Sequence, residues 1–258
     1  MPSNVIDVKT KQTKSRGARW TRGFTVLGHR GAAGLVAENT LPSFQRAAEL
    51  GCPAIELDVY AVEDELLVIH DDTLNRTTNG KGPVARKSLH ELRQLDAGGV
   101  TAPGARIPLL SEVFAALPTR MAINIELKGP GTARPVATAL AAWQPGHPVL
   151  VSSFDHSELF NFRVQADDVA VAPLFHKSHP DMLQIATDLN ACAINLNHRL
   201  ASRARLERIR AAGFGAVVYT VNQLRSAKRL LRDGATGVFT DRPDRISGET
   251  LGHPKADA

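Results

Sequence analysis

Short apolar runs alternate along the chain with longer segments in which apolar residues recur every three or four positions. The runs predict strands at 24–28, 54–60, 121–127, 149–153, 169–174, 193–196, 216–221 and 237–240. The helical period predicts helices up to about 50, then at 110–116, 132–143, 157–165, 180–189, 200–212 and 223–233. The first helix carries its own punctuation. Asn39-Thr40 offers an N-cap, Pro42 falls in the first turn, and Gly51 follows as a stop. Most of the strands are continuous apolar runs, the mark of parallel strands covered on both faces. Eight such units in about 220 residues predict an α/β fold, a (β/α)8 TIM barrel. A doubly wound open sheet is the alternative. No GxGxxG or GxxxxGK[ST] loop follows the first strand, which counts against its nucleotide-binding versions.

One stretch breaks the rhythm. After a turn at Glu63-Asp64-Glu65, an extra short strand at 66–69 runs into His70. Residues from about 71 to 109 then hold many turn signals, a short helix near 89–95 and little core. Such an excursion after the second strand reads as a lid or binding loop. The expected organisation is a basic leader at 1–22, one barrel over 23–246 with its insertion at about 71–109, and a tail at 247–258.

Composition narrows the function classes. The formal charge is +5 over 258 residues. Much of it lies in the first 22 residues, where Lys9, Lys11, Lys14, Arg16, Arg19 and Arg22 face only Asp7. This leader reads as a solvated, disordered segment. Aromatic residues make up only 5% and are not interleaved with basic ones, so no nucleic-acid partner is expected. No run reaches the roughly 18 apolar residues of a membrane span, and the leader lacks the apolar stretch of a secretory signal. Two cysteines, Cys52 and Cys192, are too few for a disulfide framework and read as buried thiols. A cytoplasmic protein is the expectation, and the mild excess of positive charge would suit a small anionic substrate without deciding for one.

Polar residues at the C-terminal ends of barrel strands do the chemistry in this fold. Here these are His29 and Arg30, Glu56 and Asp58, Asn124, Glu126 and Lys128, Ser152 and Ser153, Asn195 and Asn197, Tyr219, Thr220 and Asn222, and Thr240 and Asp241. Glu56 and Asp58 stand two apart, so both face one side of an otherwise apolar strand. Glu126 and Lys128 repeat the spacing on the next strand. Two acids on an apolar strand are costly unless paired or bound to a cation. Three converging carboxylates suit Mg²⁺ or Ca²⁺; a salt-bridge cluster with Arg30 and Lys128 is the other reading. His29 and His70 offer two proton carriers for one reaction centre. The remaining histidines, His90, His147, His156, His176, His179, His198 and His253, read as solvated. Ser152 and Ser153 lack a GxSxG elbow, which disfavours a serine hydrolase.

Taken together, the motifs resemble the glycerophosphodiester phosphodiesterase family. They are His29-Arg30-Gly31, Glu38-Asn39-Thr40, Glu56-Leu57-Asp58, His70-Asp71, Arg76-Thr77-Thr78-Asn79-Gly80, Asn124-Ile125-Glu126-Leu127-Lys128, Ser152-Ser153-Phe154, Tyr219-Thr220-Val221-Asn222 and Thr240-Asp241-Arg242-Pro243. The resemblance implies a barrel with a small insertion after the second strand and a divalent cation on Glu56, Asp58 and Glu126. It implies His29 and His70 as the acid/base pair, and Arg30 and Lys128 as phosphate ligands. The implied reaction splits a glycerophosphodiester into glycerol 3-phosphate and an alcohol. Many members carry tryptophan where this chain has Tyr219, so the ring packing on glycerol would here bring a hydroxyl. A related phospholipid-cleaving enzyme and a non-catalytic phosphodiester-binding barrel are the competing readings. The first would favour a secreted chain with an apolar membrane-contacting loop, and the second the loss of a histidine or a metal acid. Neither feature is evident.

Overall fold

Alternation hidden inside the apolar runs decides which way each strand faces. The computed structural model describes residues 24–252. The expected leader and the last residues of the expected tail lie outside the described residues. Eight strands run parallel: β1 (Thr25–Gly28), β2 (Ala54–Val62), β4 (Ala122–Leu127), β5 (Val149–Ser153), β6 (Ala170–Phe175), β7 (Ala193–Asn197), β8 (Gly215–Tyr219) and β9 (Gly237–Thr240). Leu27 of β1 pairs with Ala54 of β2 on one side and Phe239 of β9 on the other, so the sheet closes into a barrel. The extra strand β3 (Glu65–Val68) is antiparallel to β2, and the hairpin carries β2 two residues beyond its expected end.

The inward positions of the strands form two levels. Leu27, Ala54, Ala122, Leu150, Ala170, Ala172, Ala193, Val217 and Phe239 form one apolar cluster. Most are alanine, because side chains from eight strands must share a narrow interior. Above Ala54 on the same face of β2 come Glu56 and Asp58; above Ala122 on β4 come Asn124 and Glu126. The outward positions, such as Ile55, Leu57, Ile123, Ile125 and Val151, belong to a second, larger cluster with the helices. The barrel therefore has an apolar floor and a polar mouth.

The surrounding helices are α1 (Leu41–Glu49), α2 (Leu89–Arg93), α3 (Leu110–Ala116), α4 (Ala133–Trp143), α5 (His156–Gln165), α6 (Met182–Asp188), α7 (Arg203–Ala211) and α8 (Leu224–Arg232). Thr40 caps α1 by accepting from the Ser43 amide. Asp155 caps α5. Helix α7 begins later than its periodicity suggests, because Ser202 takes the cap and a 3-10 turn at His198–Leu200 precedes it. Among the described residues, no helix is long and apolar enough to cross a membrane.

The excursion after β3 holds more core than its sequence pattern suggests. Leu74, Val84, Leu92, Ala97 and Ile107 gather with Val62, Leu67 and Ile69 into a separate buried cluster. Each apolar residue stands nearly alone between turns, so no period announces the cluster. His147 is a second departure: it is buried, not solvated. It lies just before β5, with Nδ1 2.9 Å from the Met121 carbonyl, Nε2 3.2 Å from the Phe114 carbonyl, and its ring against Phe114.

Phe162 on α5 is fully buried, whereas Val164 on the same helix is 84% exposed. Phe162→Ala is expected to cost about 3–5 kcal/mol of stability, and Val164→Ala to stay within about 0.5 kcal/mol. Thermal or urea unfolding of both variants checks the difference.

Candidate active site

The site starts from strand register. Parallel pairing sets Asp58 of β2 beside Glu126 of β4, and Glu56 beside Asn124. Ligand oxygens of Glu56, Asp58 and Glu126 all lie within 4.8 Å of one another, and all three residues are buried. Burial first, then the charges of Asp58 and Glu126, push the Glu56 carboxyl well above its usual pKa. Burial and the Asp58 charge push Glu126 up to about 7.

Two cations compensate in part. Lys128 Nζ donates to Glu126 Oε1 at 2.9 Å and stands 3.8 Å from Asp58 Oδ1. Arg30 works with its backbone and its side chain. Its amide donates to Glu56 Oε2 at 2.9 Å, and Nε lies 3.4 Å from Asp58 Oδ2. A left-handed backbone at Arg30 (φ +50°) and Gly31 (φ +87°) makes this reach possible. A Cβ on Gly31 would come within 2.5 Å of Ser43 Oγ. Ser43 Oγ needs that space, since it donates to the Arg30 carbonyl and accepts from the Ala32 amide. Asn39 adds a hydrogen bond from Nδ2 to Asp58 Oδ2 at 2.9 Å.

The salt bridges do not satisfy the cluster. Glu56 Oε1 and Asp58 Oδ1 are buried without a hydrogen-bond partner among the described residues. Across the mouth, among the described residues, the carboxyl groups of Glu38, Glu56, Asp58, Asp71, Glu126 and Asp241 face three permanent cations, Arg30, Arg76 and Lys128. An anionic substrate would meet a surplus of negative charge. Unpaired hard oxygens and this imbalance fit a divalent cation held by Glu56, Asp58 and Glu126.

Both site histidines have the same support. His29, just beyond β1, shares Nδ1 with Asp241 Oδ1 at 2.7 Å. Asn222 in turn donates to Asp241 Oδ2 at 2.6 Å. His70, just beyond β3, shares Nδ1 with Asp71 Oδ1 at 2.6 Å. Each ring therefore keeps Nε2 free of these contacts; for His29 that atom lies 3.9 Å from Glu56 Oε2. Burial works to lower the His70 pKa, with Asp58 and Asp71 opposing and Arg30 and Lys128 adding to the drop; the net shift is downward. Barrel closure brings Asp241, at the end of the last strand, to the first, a placement that follows from closure once eight strands are read.

Tyr219 ends β8 half-buried, edge-on to Phe154 and Phe239. Its hydroxyl has no hydrogen-bond partner among the described residues, and burial pushes it above its ordinary pKa. Lys128 Nζ lies 6.0 Å from the Phe154 ring centre. Of the other strand-end residues, Ser152 accepts from Asn124, Ser153 donates to the Leu127 carbonyl, and Asn197 caps the 3-10 turn. A cavity of about 450 Å³ adjoins the site between the loop after β1 and the excursion, lined by Ala37, Glu38, Arg76, Thr77, Asp96 and Thr101, among others. Glu38, Asp71 and Arg76 sit in the family-like motifs with no role read from the sequence, and the sequence marks Asn222 and Asp241 only as strand-end candidates.

A family model described as the glycerophosphoryl diester phosphodiesterase family matches residues 29–245. The chain is 32% identical over 231 residues to a glycerophosphodiester phosphodiesterase of Caldanaerobacter subterraneus subsp. tengcongensis, covering 86% of this chain and 95% of that protein. It is 35% identical over 238 residues to a glycerophosphodiester phosphodiesterase of Bacillus altitudinis, covering 85% and 95%. Among solved structures it resembles an Oleispira antarctica phosphodiesterase in complex with the product sn-glycerol-3-phosphate. There the TM-score is 0.80 at 28% identity, with 85% of this chain and 93% of that chain covered. The chain belongs to the glycerophosphoryl diester phosphodiesterase family.

Proposed function

We propose that this protein hydrolyses glycerophosphodiesters to sn-glycerol 3-phosphate and an alcohol. The observation that carries the reading is the buried Glu56–Asp58–Glu126 group, flanked by carboxylate-held His29 and His70 in a chain of this family. Glu56, Asp58 and Glu126 would hold a divalent cation, Mg²⁺ or Ca²⁺, which neutralises phosphoryl charge and makes a nearby hydroxyl more acidic. The unpaired Cys52 and Cys192 suit a reducing, cytoplasmic setting. The catalytic unit is the barrel over 23–246 with its excursion at 71–109.

The chain's own residues supply the rest. Arg30 and Lys128 hold the non-bridging phosphate oxygens, and the ring of Tyr219 packs on the glycerol. Asp241 keeps the His29 proton on Nδ1, so Nε2 takes a proton from the substrate's glycerol hydroxyl. That oxygen bonds to phosphorus as the bond from phosphorus to the alcohol oxygen breaks. Protonated His70, stabilised by Asp71, gives its Nε2 proton to the departing alkoxide. Water then opens the cyclic phosphate: His70 takes the water's proton and His29 returns its proton to the glycerol oxygen. Both rings end as they began.

Purified full-length protein with Mg²⁺ or Ca²⁺ is expected to release glycerol 3-phosphate from glycerophosphocholine or glycerophosphoethanolamine, and a chelator to stop it. No release from a panel of such diesters would refute the proposal. His29→Ala and His70→Ala should each lower turnover at least about a hundredfold; steady-state kinetics at saturating metal decides this, and a near wild-type rate removes that histidine from the mechanism. Glu56→Gln is expected to raise the metal concentration required for half-maximal activity. An unchanged metal titration counts against the ligand set.

A further inference from the structure

Two motifs have no role in the proposed reaction: Glu38-Asn39-Thr40 in the loop after β1, and Arg76-Thr77-Thr78-Asn79-Gly80 in the excursion. They meet over the mouth. Arg76 Nε and Nη2 donate to Asp71 Oδ2 and Oδ1 at 2.7 and 2.8 Å. Nη1 and Nη2 donate to Glu38 Oε2 and Oε1 at 2.6 and 2.9 Å. One guanidinium thus forks onto two carboxylates. Each carboxylate also holds a residue of the site. Asp71 Oδ1 takes Nδ1 of His70, and Glu38 Oε1 takes Nη1 of Arg30 at 2.7 Å. The result is an unbroken line from His70 through Asp71, Arg76 and Glu38 to Arg30.

A surface ion pair is usually worth little, and the Arg76 side chain is 48% exposed. This one differs in geometry. Two bidentate forks fix the guanidinium plane, which a single flexible ammonium cannot reproduce. For Glu38, burial pulls the pKa up, but the hydrogen bonds from Arg76 and the charge of Arg30 outweigh it and hold the carboxylate ionised. Asp71 is likewise held far below its usual range, first by the Arg76 hydrogen bonds. Both carboxylates therefore stay as acceptors for the residues they orient.

We propose that Arg76 is a positioning residue that locks the His70–Asp71 pair to the Arg30–Glu38 pair. Proton donor and anion clamp then keep one spacing across the substrate, and the excursion becomes a structural part of the site. The roles of His70 and Arg30 rest on the proposed function; the lock itself rests on the contacts.

The test uses full-length protein, Arg76→Ala, Arg76→Lys and His70→Ala, with two diesters. Glycerophosphoethanolamine has a leaving alcohol that needs a proton, and glycerophospho-p-nitrophenol has one that does not. Arg76→Ala is expected to lower kcat on the first at least thirtyfold, with KM within threefold. The loss on the second should be less than a fifth as large, following the pattern of His70→Ala. Arg76→Lys should recover little. In imidazole ¹⁵N NMR, neutral His70 should carry its proton on Nδ1 in the wild type and gain an Nε2-protonated population in Arg76→Ala. A kcat within threefold of wild type, full rescue by lysine, or an unchanged His70 spectrum overturns the proposal. If His70→Ala affects both diesters equally, the acid role of His70 fails instead. The lock is then decided by the spectrum and the Arg76→Ala rate. If neither diester is cleaved, the proposed function fails and the spectrum alone decides the lock.

Discussion

Three carboxylates buried side by side are the constraint that the rest of the mouth answers. Glu56, Asp58 and Glu126 come together because two parallel strands share a register and side chains alternate along each. Desolvating an ion costs several kcal/mol even after relaxation, and here each acid also repels the others. Arg30 and Lys128 offset part of that, and the Asn39 amide adds one hydrogen bond. Two oxygens remain unpaired among the described residues. A fold selected only for stability would have no reason to keep them. The apolar floor and the larger cluster outside the strands supply the stability against which this cost is set.

The same logic orders the two histidines. A neutral imidazole has one proton for two nitrogens, and its partner decides which nitrogen carries it. Asp241 and Asp71 each occupy Nδ1, so both rings keep the same nitrogen, Nε2, free of that bond. The two carboxylates come from unrelated places, one from the last strand and one from the residue after His70. What they share is a further donor behind them, Asn222 for Asp241 and Arg76 for Asp71. Each ring is thus held by a two-layer support, the kind that fixes geometry to fractions of an ångström.

Strand runs and helical periods carry local information, and they were enough for the barrel, the order of its elements and the two-apart acids. The Thr40 cap, Pro42 and the Gly51 stop were equally local. His147 was misread because nothing in Gly146-His147-Pro148 shows that the loop is packed beneath α3 with carbonyls on both sides of the ring. The excursion's core was missed because Leu74, Val84, Leu92, Ala97 and Ile107 follow no period. The partners of His29 and Glu38 were missed for a different reason. Asp241 reaches His29 across 212 positions, and Arg76 reaches Glu38 across 38. Only closure of the sheet and folding of the excursion create those pairs.

Under the proposed Arg76 lock, charge is what makes the excursion part of the site. The mouth without residues 71–109 would keep Glu38, Glu56, Asp58, Glu126 and Asp241 against Arg30 and Lys128. The excursion brings Asp71 and Arg76 together, so it leaves the net charge of the permanent ions as it was. What it changes is their arrangement. Arg76 shares Glu38 with Arg30, and Arg30 reaches from Glu38 at Nη1 to the buried Asp58 at Nε. A guanidinium held at both ends by carboxylates is fixed in position yet remains a cation. The phosphate-holding role proposed for Arg30 needs both properties. The small core under the excursion matters for the same reason: it gives Arg76 a rigid base from which to hold that line.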